Sequence, residues 1–284
     1  MNKRIAILFH SNEKNSWRKY LITYLADLWQ NEGNKVIFLF GLKKFEPADL
    51  IIVHVDLSIV PDEYLEFAKQ YPIVLNGKIK DIRKSTFSKN LVGLDDPYEG
   101  KVIVKSDLNY AGRPEQRLQP PRFSRILSKS LFGWFKPKPY FNSSLDYQIF
   151  DHPRLVPRAY FENPRLVVEK FLPEWENGVY FSRNFYFLGG RTHCFRLASK
   201  HPIVKARTCI RVEQAEPHPE LIMYRKALKF DYGHFDYAIH QGNVVLHDIN
   251  KTTGCGTLSF EREIKPFHDY RAGGIYAYFK GSIR

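Results

Sequence analysis

The chain has 284 residues, enough for one large domain or two to three small ones with their own cores. Hydrophobic residues make up 44% of it and aromatic residues 15%, which excludes an intrinsically disordered chain. The net charge of +13 predicts an anionic partner, and charge alone leaves nucleotides, acidic metabolites, polyanions, nucleic acids and anionic lipid surfaces open.

We expect no membrane span, because no apolar stretch approaches the roughly 18 residues that a transmembrane helix needs. The opening NKRIAILFH has an apolar run too short for the core of a signal peptide, and no small-residue cleavage site follows it. Cys194, Cys209 and Cys255 have neither metal-ligand nor disulfide spacing, which fits a reducing compartment. These features predict a cytoplasmic protein.

The first 75 residues alternate between strand and helix patterns. Apolar runs predict strands at residues 4–10, 35–40, 49–55 and 72–75. One helix is predicted from about Ser16 to Glu32, where Gly33 stops it, and another begins after Pro61. The alternation predicts a small parallel, Rossmann-like α/β domain over residues 1–75.

Lys105 stands at the end of a predicted strand, residues 101–106, and leads into the loop SDLNYAGRPEQR. An ammonium group beside loop amides suits phosphate, because a compact positive charge then lies next to hydrogen-bond donors. Before this strand, residues 76–94 are predicted as a basic helix or linker. After it, residues 113–145 form a basic, aromatic insertion, for which a lid is favoured over a nucleic-acid surface because no nucleic-acid motif accompanies it.

The antiparallel part of the chain begins with an obvious hairpin, residues 179–199, which turns at Gly189-Gly190. Arg183 shares a strand face with Phe181 and Phe185. A guanidinium group on an apolar face is too costly to leave unpaired, so we expect an anion beside it.

A second hairpin, residues 233–254, turns at Gln241-Gly242-Asn243 and carries three oxygen ligands. Asp236 lies on its first arm, and Asp248 and Asn250 lie two residues apart on one face of its second arm. Two carboxylates and an amide oxygen suit a hard divalent cation such as Mg²⁺, although local hydrogen bonding at strand ends is the competing explanation. His234 lies on the same face as Asp236, where it either touches substrate or is a satisfied structural histidine.

The arrangement D-x(11)-D-x-N-K-T-x-G resembles the metal-binding end of the ATP-grasp superfamily, in its carboxylate-amine ligase-like members. The resemblance implies that Asp236, Asp248 and Asn250 hold Mg²⁺. The sequence departs from the family at Asp248, where Glu is commoner, and at Thr253, where Pro is frequent. The implied fold is mixed α/β and α+β: a small parallel α/β lead domain, then a two-lobed ATP-grasp domain over residues 76–284.

The resemblance also implies a nucleotide site. Residues 166–172 read as a strand that ends in Glu169-Lys170-Phe171-Leu172, with Glu176 seven residues after Glu169. In the family such a segment holds adenine through its backbone and the later acid holds the ribose, for which Glu174 is the nearest rival. The implied ATP-binding residues are therefore Lys84, Lys105, Glu169, Lys170, Leu172 and Glu176, the two lysines binding the α- and β-phosphates.

The activity that the resemblance implies is an ADP-forming carboxylate-amine ligase that uses ATP and Mg²⁺ and activates the carboxylate as an acyl phosphate. Arg191 or Arg196 would hold the acyl phosphate, with His234 close to the substrate. The partners would be small-molecule or peptide carboxylates and amines. Three alternatives stay open: a kinase of a polyanionic acceptor, an inactive nucleotide-binding scaffold, and a basic module that binds nucleic acid or another surface.

Overall fold

A computed structural model gives the structure of the chain and describes residues 2–119, 141, 143–254 and 258–279, with side chains of the last helix described from residue 264. The first part of the chain is a four-stranded parallel sheet in the order β2-β1-β3-β4. Its strands are β1 Arg4–Phe9, β2 Lys35–Phe40, β3 Leu50–Val53 and β4 Val74–Leu75. Helices α1, Leu21–Asn31, and α2, Asp62–Ala68, accompany it. The predicted parallel α/β arrangement is confirmed.

The first helix begins later than the sequence pattern predicted. A 3-10 turn occupies Trp17–Lys19, and α1 starts at Leu21 rather than near Ser16. The reason is local, because the Ser16 hydroxyl donates to Glu13 Oε1 at 2.7 Å and does not cap the helix. Gly33 ends the helical segment with a φ of +86°, a conformation that glycine adopts without strain.

The middle of the chain forms a three-stranded antiparallel sheet in the order β6-β5-β7. Its strands are β5 Val102–Ser106, β6 Gln148–Phe150 and β7 Leu166–Lys170, and short helices α3 Lys84–Phe87, α4 Arg113–Leu118 and α5 Arg158–Phe161 lie between the strands or before them. The stretch at residues 76–94 is therefore mostly irregular, with one short helix. Of the predicted insertion, residues 120–140 and 142 lie outside the described residues.

The last part of the chain is an antiparallel sheet in the order β11-β10-β9-β12-β13, with β8 also paired to β9. Its strands are β8 Glu174–Glu176, β9 Val179–Leu188, β10 Arg191–Ser199, β11 Cys209–Ala215, β12 Tyr232–His240 and β13 Asn243–Asn250. Both predicted hairpins are present. Strand β11 and helices α6, Glu220–Ala227, and α7, Leu258–Ala272, complete this part, and the sequence pattern did not predict β11 or α7.

The two faces of this sheet differ in chemistry. One face, here called the α6 face, buries Phe185, Phe187 and Phe235 in a cluster that includes Leu221 of α6. The opposite face, here called the cleft face, carries polar side chains, because residues alternate between faces along each strand. Helix α7 packs against β9 and β10.

The antiparallel sheet also packs against the parallel sheet. Leu188 and Tyr232 join a buried cluster that contains Phe9 and Trp29 of the first part of the chain. The Asn76 side chain donates to the carbonyl oxygen of Tyr232 at 2.8 Å. None of the helices in the described ranges has the length and apolarity that crossing a bilayer requires.

Candidate functional site

A cleft separates the three-stranded sheet from the antiparallel sheet. Its walls come from β5, β7 and the residues after β7 on one side, and from β13 and the loop after β10 on the other. The predicted nucleotide-binding residues Lys105, Glu169, Lys170 and Leu172 line it together with Asp248, a predicted metal ligand. Tertiary structure therefore brings residues of all three sequence motifs, namely Lys105, the segment that begins at Glu169 and the second hairpin, to one cleft.

Asp236 and Asp248 lie directly opposite each other on β12 and β13. A bulge in the ladder follows this pair, so His247 has no register partner and Tyr237 pairs with Leu246. On the other side of β12, Asn184 pairs with Asp236, and its amide Nδ2 donates to Asp236 Oδ1 at 2.5 Å. The two carboxylates are thus fixed side by side on the cleft face.

Two lysines hold these carboxylates. Lys84 of α3 is 1% exposed, and its Nζ lies 2.8 Å from Asp248 Oδ1. Lys205, from the loop between β10 and β11, lies 3.3 Å from Asp236 Oδ2 and 3.5 Å from Asp248 Oδ2. The site therefore already binds cationic groups at both carboxylates.

The pKa values in the cleft follow from burial and from these charges. Burial alone would raise the pKa of Asp248, but Lys84, Lys205 and Lys105 more than reverse it and hold that pKa well below its usual range. Burial lowers the pKa of Lys205, but Asp236 and Asp248 outweigh it and raise that pKa above its usual value. Both groups are therefore charged at neutral pH.

His234 and Asn250 form the next cross-strand pair on the cleft face. The Asn250 amide Nδ2 lies 3.1 Å from His234 Nε2, and His234 Nδ1 lies 2.9 Å from Thr253 Oγ1. Burial lowers the pKa of His234, so the ring is neutral: it accepts from Asn250 and donates to Thr253. His234 thus orients the side chain of the third predicted metal ligand.

Lys105 and Glu169 are both buried, and they form an ion pair across the β5–β7 ladder. In the segment that follows, the Lys170 amide donates to Asn90 O and the Phe171 amide donates to Lys101 O, each at 2.8 Å. The backbone at the end of β7 is thereby fixed in an extended conformation beside the cleft.

Arg183 has the anionic partner that its apolar surroundings predicted. Its guanidinium nitrogens donate to Glu174 at 2.8 and 2.9 Å. Arg196 shares this carboxylate at 2.7 Å, and the Ile239 amide also donates to it at 3.0 Å. Burial raises the pKa of Glu174, but these donors reverse the shift and lower the pKa overall. Glu174 is therefore committed to structural pairing, which removes it as a rival for ribose.

Three predicted site residues lie away from the paired carboxylates. Arg196 is on the α6 face, because its neighbour Phe195 pairs with Asn184 and takes the cleft face. Glu176 is 57% exposed and pairs with Arg196. Arg191 is on the cleft face but farther along the sheet, where it donates to the Tyr270 carbonyl oxygen of α7 at 2.5 Å. The structure does not bring these three residues together with Asp248.

Three solved structures are similar to the chain over nearly its whole length. A D-alanine–D-alanine ligase from Bacillus anthracis, complexed with ATP, has a TM-score of 0.50 at 12% identity and covers 97% of this chain and 96% of its own. A RimK domain protein ATP-grasp from Sphaerobacter thermophilus has a TM-score of 0.51 at 8% identity, over 96% and 99% of the two chains. The fold is ATP-grasp. The D-cycloserine synthetase DcsG agrees, with a TM-score of 0.50 at 8% identity over 95% and 98%.

No protein-family model and no curated protein matches the sequence. At this level of identity the three structures establish the ATP-grasp fold of the chain. The reaction depends on the side chains in the cleft.

Sequence reasoning missed Lys205. This residue lies in an irregular loop that has no strand or helix period, among several other basic residues. Only the packing of the loop between β10 and β11 against β12 and β13 places the Lys205 ammonium at the two carboxylates. Asn184 was missed for the same kind of reason, since its register against Asp236 is set by strand pairing between distant segments.

A metal ion bound in this cleft would need a side-chain amide oxygen as its third protein ligand. No cluster of three or more His, Cys, Asp or Glu side chains in the described part of the chain could hold a metal ion. Asp236 and Asp248 supply two carboxylates, so a third protein oxygen has to come from a residue such as Asn250. Hard oxygen donors of this kind suit Mg²⁺, which keeps several positions for water and phosphate.

Proposed function

We propose that the protein is an ATP- and Mg²⁺-dependent ligase that activates a carboxylate as an acyl phosphate for attack by an amine. The observation that carries this proposal is the meeting of Asp236, Asp248 and Lys205 at one end of a cleft whose opposite wall carries Lys105 and the Glu169–Leu172 segment. Such a cleft offers cationic groups for the phosphates next to carboxylates for a metal.

The adenine would bind at the end of β7. The amides of Lys170 and Phe171 already donate to carbonyl oxygens of the protein, which supports the Leu172 amide as the group that would donate to an adenine nitrogen. Phe171, Leu172 and Ile203 line the cleft there and provide apolar contact for the ring. Glu176 would bind the ribose hydroxyls from its exposed position beyond this segment.

The metal ligands would be Asp236, Asp248 and Asn250. The ammonium of Lys205 lies within 3.5 Å of both carboxylates, so the pair is already arranged to hold positive charge. When bound there, Mg²⁺ would offset the charge of the phosphate oxygens during phosphoryl transfer. The role of His234 would be to position Asn250 through the hydrogen bond between them.

Lys205, Lys84 and Lys105 would bind the phosphates. All three are held by carboxylates in the structure, namely Asp236 and Asp248 for Lys205, Asp248 for Lys84 and Glu169 for Lys105. A cationic group that pairs with a carboxylate can exchange it for a phosphate oxygen at low cost, because both partners are anionic oxygens. Of the three, Lys205 is the most exposed and is best placed for the γ-phosphate.

The proposed reaction has two steps. In the first, an oxygen of the substrate carboxylate attacks the γ-phosphorus, the bond from phosphorus to the β,γ-bridging oxygen breaks, and ADP leaves. In the second, the amine nitrogen attacks the acyl carbon and the carbon–oxygen bond to phosphate breaks. Inorganic phosphate leaves, the amine loses a proton, and an amide remains.

A product assay tests this function. The protein is incubated with ATP and Mg²⁺ and a panel of acids and amines, and ADP, free phosphate and phosphorylated acceptor are measured. ADP and free phosphate in equal amounts, formed only when an acid and an amine are both present, is the expected result. Phosphate that remains on the acceptor would make the protein a kinase, and ATP binding without turnover over the panel would favour a nucleotide-binding scaffold.

The variant Lys205→Met gives the assay a residue-specific control. Loss of the ammonium should lower ADP release by about 10²-fold, because a charge that offsets the transferred phosphoryl group is removed. Lys200→Met is the matched control, since Lys200 lies in the same loop but is exposed. Equal ADP release by the two variants would contradict the role of Lys205.

A further inference from the structure

Arg271, near the end of α7, is buried and has no hydrogen-bond partner among the described residues. It is 0% exposed, and within the part of the chain that the structure describes none of Nε, Nη1 and Nη2 has a partner. A guanidinium group stays charged in proteins, and taking it out of water without an anion is strongly unfavourable. The described residues therefore provide no hydrogen-bond acceptor, and so no hydrogen-bonded anion, for this guanidinium group.

The surroundings of Arg271 are a row of rings on the cleft face. His193, Tyr186 and His234 are register partners on β10, β9 and β12, and the two histidine rings stack on Tyr186 at 5.0 and 5.1 Å. Arg271 Cζ lies 5.2 Å from the centre of the Tyr186 ring. His268, one turn earlier in α7, lies 5.4 Å from the His193 ring. These residues form a polar layer between α7 and the sheet.

Three residues of this layer carry polar atoms without partners. Both ring nitrogens of His193 and Nδ1 of His268 have no hydrogen-bond partner within the described ranges, and the same holds for the three nitrogens of Arg271. Buried polar groups are normally hydrogen-bonded. A ligand that accepts hydrogen bonds would explain why six buried nitrogens in one layer have no partner in the described residues. All six are nitrogens, and the guanidinium nitrogens can only donate, which suits an acceptor such as an oxyanion.

We propose that Arg271, His193 and His268 form a subsite for a carboxylate that the substrate carries in addition to the group that reacts. This inference rests on the proposed ligase function and narrows its substrates to acids or amines with a second, non-reacting carboxylate. The planar guanidinium can bind a carboxylate through two parallel hydrogen bonds.

The charge of the layer favours a carboxylate over a phosphate. Burial and the charge of Arg271 lower the pKa of His193 to about 2, and the same causes lower that of His268 to about 3. Both rings are therefore neutral at pH 7, and Arg271 supplies a single positive charge. A carboxylate carries one negative charge and is neutralised, whereas a dianionic phosphate would leave a buried excess charge.

The position of the layer fits a substrate of amino-acid or short-peptide size. His234 lies in the ring row, and Asp236 lies two residues farther along β12, a separation of roughly 7 Å along the strand. A cavity of about 410 Å³ lies beside the layer, between α7 and the edge of β10 and β11, with His193, Phe267 and Tyr270 in its wall. A substrate whose second carboxylate lies in the layer would therefore have to extend along β12 by about two residues' length to bring its reacting group to the paired carboxylates.

Another arginine shows how the fold satisfies a guanidinium that has a structural role. Arg225 of α6 packs on Phe187 on the α6 face and donates to the carbonyl oxygens of Phe230 and Asp231 at 2.9 and 3.0 Å. Because Arg225 has these acceptors and Arg271 has none, the two residues provide a matched pair of variants.

The test compares wild type, Arg271→Met and Arg225→Met by thermal unfolding without ATP. The ligand-free Arg271→Met variant should melt about 2 °C or more above wild type, because an unpaired buried charge is replaced by an apolar side chain. Arg225→Met should melt below wild type, because it loses hydrogen bonds. A merely structural role for Arg271 predicts a lower melting temperature for both variants.

The ligand probes are acetate, malonate, succinate and glutarate, with inorganic phosphate and chloride at equal ionic strength. The carboxylates should raise the melting temperature of wild type and Arg225→Met, and calorimetry should show binding weakened about tenfold or more in Arg271→Met. Arg271→Lys, which keeps the charge but not the two parallel hydrogen bonds, should bind with intermediate affinity and replaces Arg271→Met if that variant does not fold.

Three results would overturn the inference: no carboxylate stabilises wild type more than chloride does, phosphate alone stabilises it, or the Arg271 variants respond to carboxylates as wild type does. Because ATP is not added, the outcome is independent of the proposed ligase reaction. Carboxylate binding that depends on Arg271, in a protein without ATP turnover, would leave the subsite standing and refute the ligase function alone.

Discussion

The two faces of the antiparallel sheet use charged residues differently. On the α6 face, Glu174 accepts hydrogen bonds from Arg183, Arg196 and the Ile239 amide, so its charge is matched within the fold. On the cleft face, Asp236 and Asp248 share the ammonium of Lys205 at 3.3 and 3.5 Å, and Asp248 also pairs with the buried Lys84 at 2.8 Å. The same strands therefore carry one charge cluster that is complete and one that a ligand can still enter.

This difference in pairing distinguishes charged residues that stabilise the fold, such as Glu174, from charged residues that can bind a ligand, such as Asp236. A buried carboxylate with several charged donors stabilises the fold only while all its partners remain, and nothing is left to bind a ligand. The contacts of Lys205 with the two carboxylates are longer and shared, and this lysine is 32% exposed, so they cost little to rearrange when phosphate or a metal arrives. Substitutions on the two faces should thus affect different measurements, stability on one and activity on the other.

The largest effect is expected on the α6 face. Glu174→Ala would leave Arg183 and Arg196 without their shared anion in a largely buried position. We expect a loss of about 3–5 kcal/mol in the free energy of unfolding, measured by urea denaturation. ATP turnover per folded molecule should be close to that of wild type. An unchanged free energy of unfolding would contradict the structural role assigned to Glu174.

The next effect concerns the cleft face. Asp236→Asn keeps the shape of the side chain and one acceptor oxygen for the Asn184 amide, but it removes one of the two carboxylate charges. We expect ADP release to fall by about 10²-fold or more at saturating Mg²⁺, while the free energy of unfolding changes by less than about 1 kcal/mol. Asp248→Asn should lose activity in the same way and also lose stability, because Lys84 is buried against it. Normal turnover by both variants would remove the metal assignment.

A smaller effect is expected for the ribose contact. Glu176→Ala should weaken ATP binding about tenfold, since a hydrogen bond to an ionised carboxylate contributes about 1.5–3 kcal/mol. It should also reduce the preference for ATP over 2′-deoxy-ATP. Calorimetric titration of both nucleotides with wild type and variant checks this, and unchanged affinity would leave Glu176 as the surface partner of Arg196 only.

The smallest effect is a pH dependence of stability. The pKa of Glu174 is lowered in the folded protein from the ordinary value of 4.5, so its contribution to stability is present above pH 4.5 and is lost as the pH falls further. Each unit of lowering corresponds to about 1.4 kcal/mol. The unfolding free energy of wild type should therefore decline more steeply than that of Glu174→Gln below about pH 4.5. Parallel acid titrations of the two proteins would contradict the pairing.

Much of the fold could be predicted from local patterns. Alternating strand and helix periods predicted the parallel lead sheet, and the glycine turns predicted both antiparallel hairpins. The start of α1 was misplaced by about five residues, because the Ser16 hydroxyl bonds to Glu13 instead of capping the helix. Strand β11 and helix α7 were missed, since neither has a strong period in its sequence and both are stabilised by packing on β10.

The sequence by itself determined which side chains share a face of one hairpin. Strand alternation puts Asp248 and Asn250 together, and a tight turn brings Asp236 opposite them, because these relations involve neighbours along the chain. Only the tertiary structure decided which distant residues meet that face. Lys205 comes from an irregular loop and Arg271 from a helix far along the chain, and their positions depend on long-range packing that no local periodicity encodes.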